Sequence, residues 1–144
     1  HRESRGLGDV YKRQNLNIQH MTDIGNLWSN AILEHNKDEY FEAHELFEDI
    51  WLELDDRSEK DIIQTLAQAD ALAVHLETGN LAAAKRLMRQ LPELSQTFPN
   101  EYRNINLVEF KLWLTQMISI VPDVDNILQI SNIKPPKLLN CRKK

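Results

Sequence analysis

The chain has 144 residues, a formal net charge of −5 and a single cysteine, Cys141. A chain of this length can bury a hydrophobic core as one domain without disulfides or metals. One cysteine excludes an intrachain disulfide, and no apolar run reaches the roughly 20 residues of a membrane span. We therefore expect a cytoplasmic protein with no membrane contact. The acidic centre argues against nucleic-acid binding, which requires a basic face, whereas a homo-oligomer is left open.

The sequence divides into three parts of different character. Residues 1–20 are expected to be a non-native or disordered leader, because residues 1–14 show neither a starting methionine nor a helical or strand period. Residues 21–120 are expected to form a helical bundle domain. Residues 121–144 are expected to form a C-terminal extension, and we interpret its basic tail as a solvated terminus.

Apolar residues recur at helical spacing in five segments, and no alternation of period two lasts beyond four residues. Short connections between such segments imply antiparallel neighbours. The sequence therefore predicts an all-α fold, an antiparallel helical bundle of about five helices without strands. Pro92 is expected to end or kink the fourth helix. The predicted helices cover residues 23–35, 39–54, 58–79, 80–94 and 106–121, with one or two further turns at 125–130.

Cap residues mark the ends of these predicted helices. Gly79 is expected to end the third helix in the left-handed region, which glycine adopts without strain. Short polar side chains that can accept a hydrogen bond from the first helical turn are expected to begin the helices. In chain order these candidate caps are Thr22, Asp38 or Asn36, Ser58 and Asn80.

Two polar side chains interrupt the apolar face of the second predicted helix. His44 and Glu48 stand one turn apart next to the apolar arc, and the apolar positions Phe41 and Leu52 enclose them on the other side. An unpaired buried carboxylate is costly, so Glu48 needs a partner or a proton. We therefore predict a buried His/Glu polar site. The remaining acids of this helix fall on the side predicted to face solvent: Glu42, Glu45, Asp49 and Glu53.

The third predicted helix offers partners for this pair. Gln64, Gln68 and His75 follow at spacings of four and seven, which places them on one helix face. That face is expected to meet His44 and Glu48 across the helix pair. Asp70 and Glu77 lie on a different face, also among apolar residues.

The same residues carry a resemblance to a known family. The chain resembles the domain of unknown function 309 family, small helical proteins of bacteria and archaea, over about residues 34–118. The family signature is His, three residues, Glu, two residues, then Trp or Tyr, and it reads His44, Glu48 and Trp51 here. The resemblance implies a helical fold and suggests that the signature binds metal. The chain departs from the family pattern at Thr65, Asp70 and Asn104. At the last position the family often has glycine, and asparagine also tolerates the left-handed region.

One hypothesis for the polar site is a divalent metal ion bound by His44, Glu48 and His75. Two ligands one turn apart are too few for zinc, so His75, Glu45 or Asp70 has to contribute. The segment His44-Glu45-Leu-Phe-Glu48 is similar to H-E-x-x-H but lacks its last histidine, which disfavours metalloprotease chemistry. The sequence contains no glycine-rich phosphate motif and no clear nucleophile.

Two further hypotheses stay open for the same residues. The first is a structural hydrogen-bond network in which His44 pairs with Glu48 and the supporting side chains bridge the helices. The second is a pocket for a small ligand or a partner peptide. The alternative to any ligand site is a structural or protein-interaction module with no catalytic activity. The supporting polar cluster predicted for these hypotheses is Glu45, Trp51, Gln64 and Gln68.

Overall fold

The computed structural model describes residues 23–142 of the chain. Within them the protein is predominantly helical, and consecutive helices joined by short connections pack on one another as a bundle. The predicted all-α bundle is thereby confirmed in its main features. The leader expected at residues 1–20 and the candidate cap Thr22 lie outside the described residues. The described residues contain six α helices: α1 (Ile24–Asn36), α2 (Tyr40–Glu53), α3 (Arg57–Thr78), α4 (Leu81–Leu87), α5 (Leu91–Leu94) and α6 (Val108–Ile120).

The ends of these helices follow side-chain chemistry only in part. Gly79 ends α3 at φ 75°, and the Asn80 side chain accepts from the first turn of α4, as predicted. Ser58 is not a cap, because α3 begins one residue earlier and Asp56 accepts from the Glu59 amide. Neither predicted cap of α2 is correct, since Glu39 occupies that position without a side-chain hydrogen bond.

Pro92 acts differently from its predicted role. The fourth predicted helix breaks after Leu87, and α5 begins at Leu91 with Pro92 in its first turn. A proline in a first turn costs no hydrogen bond, because the amides there have no partner within the helix. Pro92 therefore helps to start a short helix and does not end a long one.

The prediction that the chain has no strands was wrong. Strands β1 (Glu101–Tyr102), β2 (Ile105–Asn106) and β3 (Leu139–Asn140) form a small antiparallel sheet with β2 in the centre. Arg103 and Asn104 form the β1–β2 turn at φ 45° and 68°, and the mirror-image turns that suit hairpins need such positive angles. Asn104 adopts the left-handed conformation that the sequence led us to expect. A strand of two residues is too short to show an alternation of polar and apolar residues, so the sequence pattern could not predict these strands.

The core lies between α1, α2, α3 and α6. Their apolar faces meet there, and the aromatic rings of Phe110 and Trp113 pack in a tilted arrangement at a centroid distance of 5.6 Å. Within residues 23–142, no helix combines the length and apolar character that crossing a bilayer requires. The main buried side chains of these four helices are Trp28, Ala31, Ala43, Phe47, Ile50, Ile63, Leu66, Leu72, Phe110, Leu114 and Met117.

Residues 134–138 of the C-terminal tail are docked on the end of α1 and the residues that follow it, which corrects our interpretation of the tail as a solvated terminus. The side chain of Asn36, at the end of α1, donates to the Leu138 carbonyl at 2.8 Å and accepts from the Leu138 amide at 2.7 Å. Lys134 and Lys137 form ion pairs with Asp38 at 3.2 and 2.9 Å. The side chains of Asn36 and Asp38 are thus bound to the tail, which explains why neither caps α2.

Candidate functional site

Three side chains of α2 bring potential metal ligands together. His44, Glu45 and Glu48 each offer one ligand atom, and these atoms lie within 4.8 Å of one another. The Nε2 atom of His44 is 3.3 Å from a carboxylate oxygen of Glu48. One helical turn separates these two residues, so the helix itself sets their spacing. Among residues 23–142 this is the one such group of histidine, cysteine and carboxylate side chains.

A hydrogen bond to the neighbouring helix fixes the imidazole of His44. Its Nδ1 atom lies 2.8 Å from the backbone carbonyl oxygen of Ala67 on α3. A carbonyl can only accept, so Nδ1 carries the proton and donates. In the neutral ring, Nε2 is then the atom with the free lone pair, and it faces Glu48. Metal-binding histidines typically show this arrangement, with the second ring nitrogen donating to a carbonyl.

The burial of these residues differs from the prediction. His44 and Glu48 retain 20% and 42% of their side-chain exposure, so the pair lies at a surface and not in an enclosed core. One reason is Leu52, predicted to help enclose the pair, which is itself exposed. Glu45, predicted to face solvent, is instead only 6% exposed. Helix α2 packs against both α1 and α3. A helical wheel with one apolar face therefore overestimates how much of the helix surface is exposed to solvent.

A cleft opens next to Glu48. It has a volume of about 290 Å³, and its walls include Glu48, Trp51, Gln64 and Ala67. The ammonium of Lys60 lies 3.6 Å from the centre of the Trp51 ring and donates to the Trp51 carbonyl at 2.9 Å. This cation–π contact and hydrogen bond hold the tryptophan in place. Of the predicted supporting residues, Trp51 and Gln64 thus line the cleft.

Gln68 and His75 are placed differently. The side-chain amide of Gln68 donates to Gln90 at 2.9 Å, so its hydrogen bond leads away from the His44–Glu48 pair that it was predicted to bridge. His75 is partly buried and lies outside the three-residue group. Burial lowers the pKa of His75, and the charges of Arg86 and His44 lower it further. Its imidazole is therefore mostly neutral at pH 7.

A second polar pair lies deeper in the protein, and the sequence did not reveal it. His35 at the end of α1 and Asp70 in the middle of α3 are 1% and 0% exposed, and their Nδ1 and Oδ1 atoms are 2.8 Å apart. The other ring nitrogen of His35 donates to the Pro136 carbonyl at 2.9 Å. The charge of Asp70 had stood out in a helix predicted to be buried. Nothing in the spacing of the sequence pointed to His35 as its partner.

The two groups of this pair share one proton. Burial by itself lowers the pKa of His35, but the charge and hydrogen bond of Asp70 together with Pro136 raise it overall. Burial raises the pKa of Asp70, against the opposing effect of His35. Within residues 23–142, Asp70 Oδ2 has no hydrogen-bond partner, which further disfavours a full negative charge there. The pair is therefore neutral as a unit, with its proton between Nδ1 and Oδ1.

Part of the chain matches a known family model. Residues 28–87 match the family model described as Domain of unknown function (DUF309). The match confirms the resemblance over a segment that includes most of α1 and all of α2, α3 and α4. It contains the three-residue group and both members of the His35–Asp70 pair. Searches of curated proteins and of solved structures gave no match.

Proposed function

We propose that His44, Glu45 and Glu48 bind a divalent metal ion. The observation that carries this proposal is the orientation of His44, whose Nδ1 donates to Ala67 while Nε2 faces a carboxylate oxygen at 3.3 Å. Two groups that each present lone pairs repel one another unless a proton or a cation lies between them. A metal ion between them is coordinated by both groups, and Glu45 is close enough to act as a third ligand.

The donor set favours particular ions. One imidazole and two carboxylates suit zinc, manganese or iron, whereas a site for calcium contains oxygen ligands only. Three protein ligands leave at least one coordination position for water or substrate, as in catalytic metal sites. A bound ion of this kind supplies Lewis acidity and a more acidic water. The adjacent cleft of about 290 Å³ gives a small molecule access to Glu48.

Metal binding is tested by calorimetric titration of Zn²⁺ and Mn²⁺ into protein that has been stripped with a chelator. We expect roughly one ion per chain for the wild type, and at least about tenfold weaker binding for His44→Ala, Glu45→Gln and Glu48→Gln. Glu53→Gln is the matched control, since it changes an acid of the same helix outside the group. Equal binding by the wild type and all three site variants refutes the proposal. Loss in His75→Ala without loss in Glu45→Gln replaces the ligand set with the one predicted from sequence.

The second candidate function is purely structural, and the His44–Ala67 hydrogen bond favours it because this bond joins α2 to α3. Thermal unfolding, measured once in chelator and once in chelator-free buffer with added Zn²⁺, separates the two roles. A structural role alone predicts that His44→Ala lowers the melting temperature and that Zn²⁺ raises it for no form of the protein. A metal site predicts that Zn²⁺ raises the melting temperature of the wild type but not of Glu48→Gln.

A further inference from the structure

A second, larger cleft lies between the first turns of α3 and the segment around α5. Its volume is about 560 Å³, which falls within the range of small-molecule sites. Most of the residues that line it are polar or charged, and none of the three proposed metal ligands is among them. The side chains that matter for its chemistry are Arg57, Asp61, Gln64, Arg89, Gln90 and Glu93.

Several of these polar groups are left available. Within the described part of the chain, neither Arg89 nor Gln64 has a side-chain hydrogen bond or ion pair. The side chain of Gln90 is positioned by the buried side chain of Gln68, which donates a hydrogen bond to its Oε1 atom at 2.9 Å. That bond occupies the acceptor of Gln90 and leaves its two amide hydrogens to donate elsewhere. The cleft thus combines a positioned amide with an unpaired guanidinium.

The charges in the cleft balance. Arg57 and Arg89 contribute two positive charges, and Asp61 and Glu93 contribute two negative ones. Arg57 and Asp61 approach only to 3.9 Å, and Arg57 is 81% exposed, so their ion pair is weak. A dianion such as phosphate meets two carboxylates in this cleft, and Leu94 is the one apolar residue among the described residues that line it. A molecule that carries one positive and one negative group finds a partner for each.

We propose that this cleft binds a small zwitterion with a carboxylate and an ammonium group, either a free amino acid or a short peptide. Arg89 and the Gln90 amide receive the carboxylate, because a guanidinium and an amide both donate hydrogen bonds in a plane. Glu93 and Asp61 receive the ammonium. The proposal is independent of a metal at His44. Gln64 lines both clefts, so the two clefts meet at this side chain.

The experiment is a titration followed by amide and side-chain NMR of the full chain, in chelator so that no metal contributes. The probes are glycine and glycylglycine, which distinguish an amino acid from a peptide, together with acetate, ethylamine and inorganic phosphate. We expect saturable shifts of the Gln64 and Gln90 side-chain signals with glycine or glycylglycine. Acetate and ethylamine each lack one of the charges and should bind at least about tenfold more weakly.

Two variants assign the charged partners. Arg89→Gln and Glu93→Gln should each weaken binding of the better zwitterion by about tenfold. Arg86→Gln is the matched control, because it removes a neighbouring arginine that does not line the cleft. Unchanged melting temperatures establish that the variants are folded. Tighter binding of phosphate than of either zwitterion, equal weakening by Arg86→Gln, or no saturable binding overturns the proposal.

Discussion

The deepest test of the structure is the replacement of Asp70 by alanine. In the wild type, Asp70 Oδ1 lies 2.8 Å from His35 Nδ1, and both side chains are fully buried. Asp70→Ala leaves an imidazole nitrogen without a partner at a site that water does not reach. Loss of one member of a buried pair costs about 3–5 kcal/mol of unfolding free energy. Since a small domain is stable by only about 5–15 kcal/mol, this variant should be severely destabilised.

Asp70→Asn separates the hydrogen bond from the charge. The asparagine amide can donate to Nδ1 of a neutral His35, while Nε2 still donates to Pro136. Because both hydrogen bonds are retained, we expect this variant to lose about 1–2 kcal/mol, less than the alanine variant. It no longer needs the proton that the wild-type pair shares, so it should also change how stability depends on pH.

The pH dependence follows from the number of protons bound. The pKa values of His35 and Asp70 are both raised on folding, from 6.5 and 3.8. Above pH 6.5 the folded pair therefore holds one proton more than the unfolded chain, and stability falls by about 1.4 kcal/mol per pH unit until the folded pair itself titrates. Below pH 6.5 the unfolded histidine also binds a proton, so the contribution of His35 to stability becomes constant. The raised pKa of Asp70 has the same sign, so this pair causes no loss of stability as the pH falls below 3.8.

The assay is urea unfolding followed by circular dichroism at pH values from 5 to 8.5. The difference between wild type and Asp70→Asn isolates the pair, because every other titrating group is common to both proteins. We expect the advantage of the wild type to shrink as the pH rises above 6.5. A constant difference over this range, or an Asp70→Ala variant as stable as wild type, refutes the shared proton.

Two further predictions concern local structure. Asn36→Ala removes both hydrogen bonds to the backbone of Leu138, so we expect the free energy of unfolding to fall by about 1–2 kcal/mol. Trypsin should also cleave after Lys137 faster than in the control variant Asn132→Ala. Equal cleavage rates contradict the docked tail. A Cβ atom added in Gly79→Ala would lie more than 4 Å from every described residue except its two chain neighbours, but the position has a φ of 75°. The variant should therefore lose about 1 kcal/mol of unfolding free energy through backbone strain alone. An unchanged urea midpoint contradicts that conformation.

Local chemistry explains which parts of the fold the sequence could predict. Gly79, Asn80 and Asn104 each carry a conformational preference within their own few residues, and all three adopt the expected roles. The docked tail has no such local signal. Leu138 meets Asn36 across 102 positions of sequence, and β3, which pairs with β2, begins at the next residue. A tail rich in lysine therefore resembled a solvated terminus.

The candidate site shows the same limit at the scale of one helix. A helical wheel assigns one buried face to a helix, whereas α2 is covered on two sides. Glu45 was therefore predicted to face solvent but is buried beside His44 and Glu48. Asp70 was recognisable as a charge in a buried helix, but its partner lies on another element, 35 positions away. A buried charge read from sequence thus predicts that a partner exists and not which residue it is. In this protein the partner is His35, and through Pro136 it couples the core to the tail.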